Sequence, residues 1–116
     1  MRLGGQKVKL LGGSGERVRK LYGDAGGTAG TAGTDGIGEI VERHRHRYDV
    51  DKGMFKEYCR MLGGDMRIVG ESDGIPEIVS LGSHKFYVGV QYHPEFKSTP
   101  FKAHPLFVGL LMAGLE

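Results

Sequence analysis

FYVGVQYHPEF, Phe86–Phe96, is the stretch from which the fold can be read. Its first five residues, Phe86 to Val90, are apolar or glycine and predict a buried strand. That strand runs towards His93-Pro94-Glu95. In open α/β sheets, sites for chemistry lie beyond the carboxyl ends of strands. Pro94 disfavours the helical region for His93 and keeps it extended. Positions two apart in an extended chain face the same way, so His93 and Glu95 can sit side by side. The carboxylate would orient the imidazole and favour its charged form. These are the base and the orienting group of a catalytic triad, without its nucleophile. The bland alternative is a structural or surface histidine at a strand end, and three residues alone do not decide between the two.

The rest of the chain limits what that element can belong to. At 116 residues there is room for one domain. A net charge of +2 gives no argument for nucleic acid. The longest apolar run near the C-terminus, Leu106 to Leu115, is half of the ~20 residues that a membrane span needs. The N-terminal MRLGGQKVKLLGGSG has no long apolar core, so neither a secretory signal nor a membrane partner is expected. One cysteine, Cys59, excludes an internal disulfide and fits a reducing compartment. Glycine is the outlier, at 21 residues against a usual ~7%.

Alternation in KVKLL predicts a first strand within Met1 to Leu11, followed by a glycine turn at Gly12–Gly15 and a short helix over Glu16 to Tyr22. GGSGERVRK lacks the Lys-Ser/Thr end of a phosphate loop. Glycine recurs every third position at Gly27, Gly30, Gly33 and Gly36. With no proline, that period predicts a flexible loop insertion over 24–38 and not a collagen helix. A strand over Glu39 to Val50 follows, then an amphipathic helix over Gly53 to Leu62 stopped by Gly63-Gly64. Short strands at Met66–Val69 and Glu77–Leu81, separated by the turn Ser72-Asp73-Gly74, predict a hairpin series with a second turn at Gly82-Ser83. His104-Pro105 opens a C-terminal helix over Leu106 to Leu115. The fold class is α/β, with more sheet than helix and no internal domain boundary.

ERHRHRYDV, Glu42–Val50, places Arg43, Arg45 and Arg47 on one strand face and His44 and His46 on the other. Three guanidiniums in a row suit a carboxylate or phosphate ligand. The favoured reading of the pattern by itself is a solvated edge strand whose charges block aggregation. The five histidines raise the question of a metal, but neither a cysteine pair nor an HExxH spacing supports one, so no metal site is expected. Cys59, mid-helix between Tyr58 and Arg60, predicts a packing thiol and not a nucleophile.

Taken together, MRLG, RKLYGD at Arg19–Asp24, ERHRHRYDV, GVQYHPEF at Gly89–Phe96 and STPFKAHPLFVGLL from Ser98 resemble the C-terminal half of the class I glutamine amidotransferase domain of CTP synthases. HPE is shared by many class I amidotransferases, whereas RHRHRY is specific to CTP synthases. The resemblance implies a partial amidotransferase-like (flavodoxin-like) mixed sheet with flanking helices across residues 1–116. It implies that His93 is the triad base, that Glu95 orients it, and that Arg47 holds L-glutamine. It further implies a cytoplasmic homo-oligomer whose separate synthase domain makes CTP from UTP with ATP and Mg²⁺. In that family the nucleophilic cysteine, the oxyanion loop and an acidic glutamine-binding residue lie upstream of MRLG. The expectation is therefore a chain that carries a base and no nucleophile and is inactive alone. The alternative is a non-catalytic remnant, an anion-binding or interaction module that kept the fold.

Overall fold

The computed structural model describes residues 2–11, 16–24 and 38–116. The glycine turn at 12–15 and nearly all of the expected loop insertion lie outside the described residues. The elements run β1 (Arg2–Leu10), α1 (Glu16–Asp24), β2 (Glu39–His46), α2 (Lys52–Met61), β3 (Met66–Ser72), β4 (Ile75–Leu81), β5 (Val88–Val90), a 3₁₀ turn (Pro94–Lys97) and α3 (Pro105–Gly114). The five strands form one sheet in the order β2-β1-β3-β4-β5. Its pairings are antiparallel. The α/β expectation holds, as does each expected helix within two residues of its bounds.

Local chemistry explains most boundaries. Asp51 caps α2 by accepting from the Met54 backbone N–H at 2.9 Å. Gly63 and Gly64, at φ 92 and 79, take the left-handed conformation that ends the helix cheaply. At the β3–β4 hairpin, Asp73 and Gly74 both have positive φ, as a two-residue turn matched to strand twist requires. His104 caps α3, its Nδ1 accepting from the Leu106 N–H at 3.1 Å, and Pro105 fills the first helical position.

β3 and β4 are longer than the expected Met66–Val69 and Glu77–Leu81, and two other expected strands are shorter. The last is three residues long and half-buried, Val88–Val90, and not Phe86 to Val90. Phe86 is diverted because its N–H donates to His84 Nδ1 at 3.1 Å, while its ring edge lies against Gly109 of α3. β2 stops at His46 and does not continue to Val50, where its ladder to β1 ends at the Arg2–His46 pair. His46 Nδ1 there turns to the Tyr48 carbonyl at 3.0 Å.

The core is Val8, Leu10, Ile40, Val69 and Ile78 from the sheet, with Val18 and Tyr22 of α1, Tyr92, and Leu106 of α3. Each such side chain contributes roughly 1.5–3 kcal/mol by leaving water. The sheet is strongly curled. His44 on β2 reaches Glu77 on β4 at 2.8 Å across two intervening strands. The chain leaving β5 closes the curl, because the His93 N–H donates to the Arg43 carbonyl of β2 at 2.8 Å. This closure brings the HPE element beside the arginine strand. Among the described residues, no helix is long and apolar enough to cross a membrane.

Candidate active site

His93 is extended, at φ −111 and ψ 92, as the following proline requires. Pro94 then opens the 3₁₀ turn, so Glu95 lies in a turn and not in an extended chain. The expected contact nevertheless forms, with His93 Nδ1 2.8 Å from Glu95 Oε2. Extended alternation is therefore not what pairs them; a tight turn brings the carboxylate back under the ring. A carboxylate oxygen can only accept, so Nδ1 carries the proton. The lone pair of the neutral ring is then on Nε2, the nitrogen a base uses. Phe96 stacks on the imidazole, with ring centroids 4.6 Å apart, and fixes its plane. The hydrogen bond from His93, reinforced by the turn's backbone N–H, holds the Glu95 carboxyl below its ordinary range. Both side chains are substantially solvent-exposed.

The arginine strand alternates as expected. Arg43 and Arg45 are exposed and His44 is buried. Arg43, Arg45 and Phe96 line an open cleft of about 370 Å³ together with Leu3, Gly4 and His44. The cleft thus adjoins His93 through Phe96 and presents two guanidiniums. Arg47 lies just beyond the end of β2, exposed at the bend, so strand alternation does not set its direction. Among the described residues its guanidinium makes no ion pair, which leaves it available to an anionic ligand. The edge-strand reading of this segment is half right. β2 is the sheet edge, but its inner face is buried and polar.

That inner face is what sequence reasoning missed. Glu42, fully buried, accepts from the Tyr22 hydroxyl at 2.5 Å and from His104 Nε2 at 2.6 Å. Tyr92 OH and Tyr22 OH are 2.8 Å apart. Since the Tyr22 proton goes to Glu42, Tyr92 donates to Tyr22. Lys97 Nζ lies 3.8 Å from Glu42 Oε1 and donates to the Val41 carbonyl at 2.5 Å. Tyr92 and Lys97 flank the HPE element, so this network anchors both ends of it to β2. Burial, above all, drives the phenol pKa values of Tyr22 and Tyr92 far above their usual range. The inward alternation of Glu42 and His44 was the available signal; their partners on distant elements were not.

Cys59 is half-buried on α2. It lines a different cleft with Leu11, Lys52, Lys56 and Glu71, which contains none of His93, Glu95 and Arg47.

The chain is similar to known proteins. Residues 6–113 match the family of class I glutamine amidotransferases. A CTP synthase of Maricaulis maris is 39% identical over 116 residues, all of this chain and 18% of the relative. A CTP synthase of Rhodopseudomonas palustris is 44% identical over 117 residues, covering 99% of this chain and 18% of that protein. The chain thus spans less than a fifth of the curated relatives it matches. The glutaminase domain of Trypanosoma brucei CTPS with bound acivicin superposes with a TM-score of 0.74 at 28% identity, covering 97% of this chain and 39% of that one. With the family model matching residues 6–113, almost the whole chain, this chain belongs to the class I glutamine amidotransferases.

Proposed function

We propose that this chain supplies the general base and part of the glutamine-binding surface of the amidotransferase site of a CTP-forming enzyme. The observation that carries the reading is the His93–Glu95 pair at 2.8 Å, stacked on Phe96 beside the cleft lined by Arg43 and Arg45. His93 Nε2 takes the proton of an attacking thiol and returns it to the leaving ammonia, while Glu95 stabilises the imidazolium formed in between. Arg47 grips the glutamine α-carboxylate. The thiol comes from outside these 116 residues, since Cys59 lies in another cleft, and by itself the chain releases no ammonia from glutamine. The similarity to CTP synthases supports delivery of that ammonia to a synthase domain, where ATP with Mg²⁺ drives the conversion of UTP to CTP. The same reading makes the protein a cytoplasmic homo-oligomer.

The test is made in the complete enzyme with two nitrogen sources. His93→Ala is expected to lower glutamine-dependent CTP formation by ~10⁴-fold or more, and to leave formation from free ammonia intact. Arg47→Ala is expected to raise the KM for glutamine, at a cost of roughly 1.5–3 kcal/mol for a lost charged hydrogen bond. Near-normal glutamine use by His93→Ala overturns the triad reading. The exposed Arg43 and Arg45 of β2 then favour the second reading, an anion-binding module without catalysis, which glutamine or phosphate binding by calorimetry detects.

A further inference from the structure

His44, His46 and Glu77 form a cluster that the amidotransferase chemistry does not use. One potential ligand atom from each lies within 4.8 Å of the others, and among the described residues no other trio of His, Cys, Asp or Glu does this. His44 and Glu77 are fully enclosed, with side chains 0% exposed, while His46 remains 13% exposed and gives the cluster its opening to solvent.

The ring orientations are set for a cation. His44 Nδ1 is 3.0 Å from the Glu42 carbonyl, and His46 Nδ1 is 3.0 Å from the Tyr48 carbonyl. A carbonyl only accepts, so both Nδ1 atoms carry protons. A backbone carbonyl on one ring nitrogen is the arrangement that fixes the tautomer of metal-binding histidines and leaves Nε2 to the metal. His46 Nε2 is buried and has no hydrogen-bond partner. His44 Nε2 instead shares a proton with Glu77 Oε2 at 2.8 Å.

We infer that His44, His46 and Glu77 form a divalent metal site, selective for Zn²⁺ or a similar ion, that staples β2 to β4 inside the curl. Two imidazoles and one carboxylate make a donor set suited to Zn²⁺ and poorly suited to Mg²⁺ or Ca²⁺. The bond lengths of such a site set ligand atoms roughly 3.3 Å apart. The His44–Glu77 pair opens slightly to reach this, and His46 swings inward. Binding expels the proton shared by His44 and Glu77 to solvent, and the ion takes its place between the two. His46 Nε2 gains the partner it lacks, and a solvent molecule completes the coordination.

The experiment is a titration of the purified, chelator-stripped protein with Zn²⁺ in competition with a chromogenic chelator, and separately with Co²⁺. The expected result is one tightly held Zn²⁺ per chain, proton release on binding, and the visible absorption of low-coordinate Co²⁺. His46→Ala is expected to weaken Zn²⁺ binding by at least about 10-fold and to abolish the Co²⁺ bands. Glu77→Gln should do the same. Because Glu77 is wholly buried, that variant can fail to fold, and the solvent-open His46→Ala, checked by circular dichroism, then carries the test. Wild-type protein that binds Zn²⁺ no more tightly than His46→Ala, or that gives only the weak spectrum of octahedral Co²⁺, overturns the proposal. The cluster is then a buried ion pair and nothing more.

Discussion

Glu95 shows how much one hydrogen bond decides. Burial would raise its pKa, so the lowering comes chiefly from the hydrogen bond that His93 donates. The sign follows directly. A carboxyl whose folded pKa lies below its unfolded value stabilises the fold above the unfolded value of ~4.3, and loses that contribution as the pH falls through the lowered one. Carbon-detected NMR should therefore show Glu95 in the folded protein titrating below ~4.3. His93→Ala should return it towards that value. If Glu95 titrates at ~4.3 or above with His93 present, the pair is not formed in solution, and the His93 ring has no orienting partner. The same local logic explains why the pair was legible in the sequence. Two residues on either side of a proline meet whether the chain is extended or turned, so the contact survived an incorrect local conformation.

At the scale of elements, α3 is placed by Gly109. A Cβ built there would come within 2.8 Å of Leu21 Cδ2 and 2.9 Å of Phe86 Cε2. Glycine is thus what lets α3 lie against α1 and against the diverted Phe86. Gly109→Ala sets two effects against each other. Helix propensity gains up to ~1 kcal/mol. Overpacking costs about 1–3 kcal/mol, and the Phe86 ring edge cannot give way as easily as the Leu21 methyls. The clash should win, with a net loss of about 1 kcal/mol. Urea unfolding should show a lower midpoint at unchanged slope. An equal or higher midpoint would mean that α3 moves off α1 freely. Helices were legible because their caps and stops are local: Asp51, Gly63-Gly64 and His104-Pro105 act within one turn. The strands were less so, because a ladder ends where its partner ends, and the partner is distant in sequence.

For the whole molecule, the Tyr22–Glu42–Tyr92–His104 network joins α1, β2, the chain after β5 and the cap of α3. Its phenols are kept protonated by burial. Their folded pKa values are raised, so their contribution is complete below the unfolded value of ~10 and declines as the pH rises above it. Each phenol that must stay neutral while its unfolded counterpart ionises lowers stability by about 1.4 kcal/mol per pH unit. Two give roughly 2.7 kcal/mol per unit above pH ~10. Chemical denaturation across that range should show this slope, and Tyr22→Phe should reduce it by about half. A stability that does not fall above pH ~10 would mean that the tyrosines ionise in place and that the network is open to water.

The sequence by itself determined the class of fold, the helices, the pairing of His93 with Glu95, and through RHRHRY the family. All of these depend on residues within a few positions of one another, or on motifs that keep their spacing. Tertiary structure alone decided the rest. It turned the inner face of an arginine-rich edge strand into buried chemistry, with Glu42 bound to residues as far away as His104 and His44 bound to Glu77. The spacing read for metals, a cysteine pair or HExxH, could not show that Glu77, 33 residues beyond His44, meets His44 and His46, because only the curl of the sheet brings it there. Curl is a property of the accumulated twist of five strands, and no local run of residues encodes it.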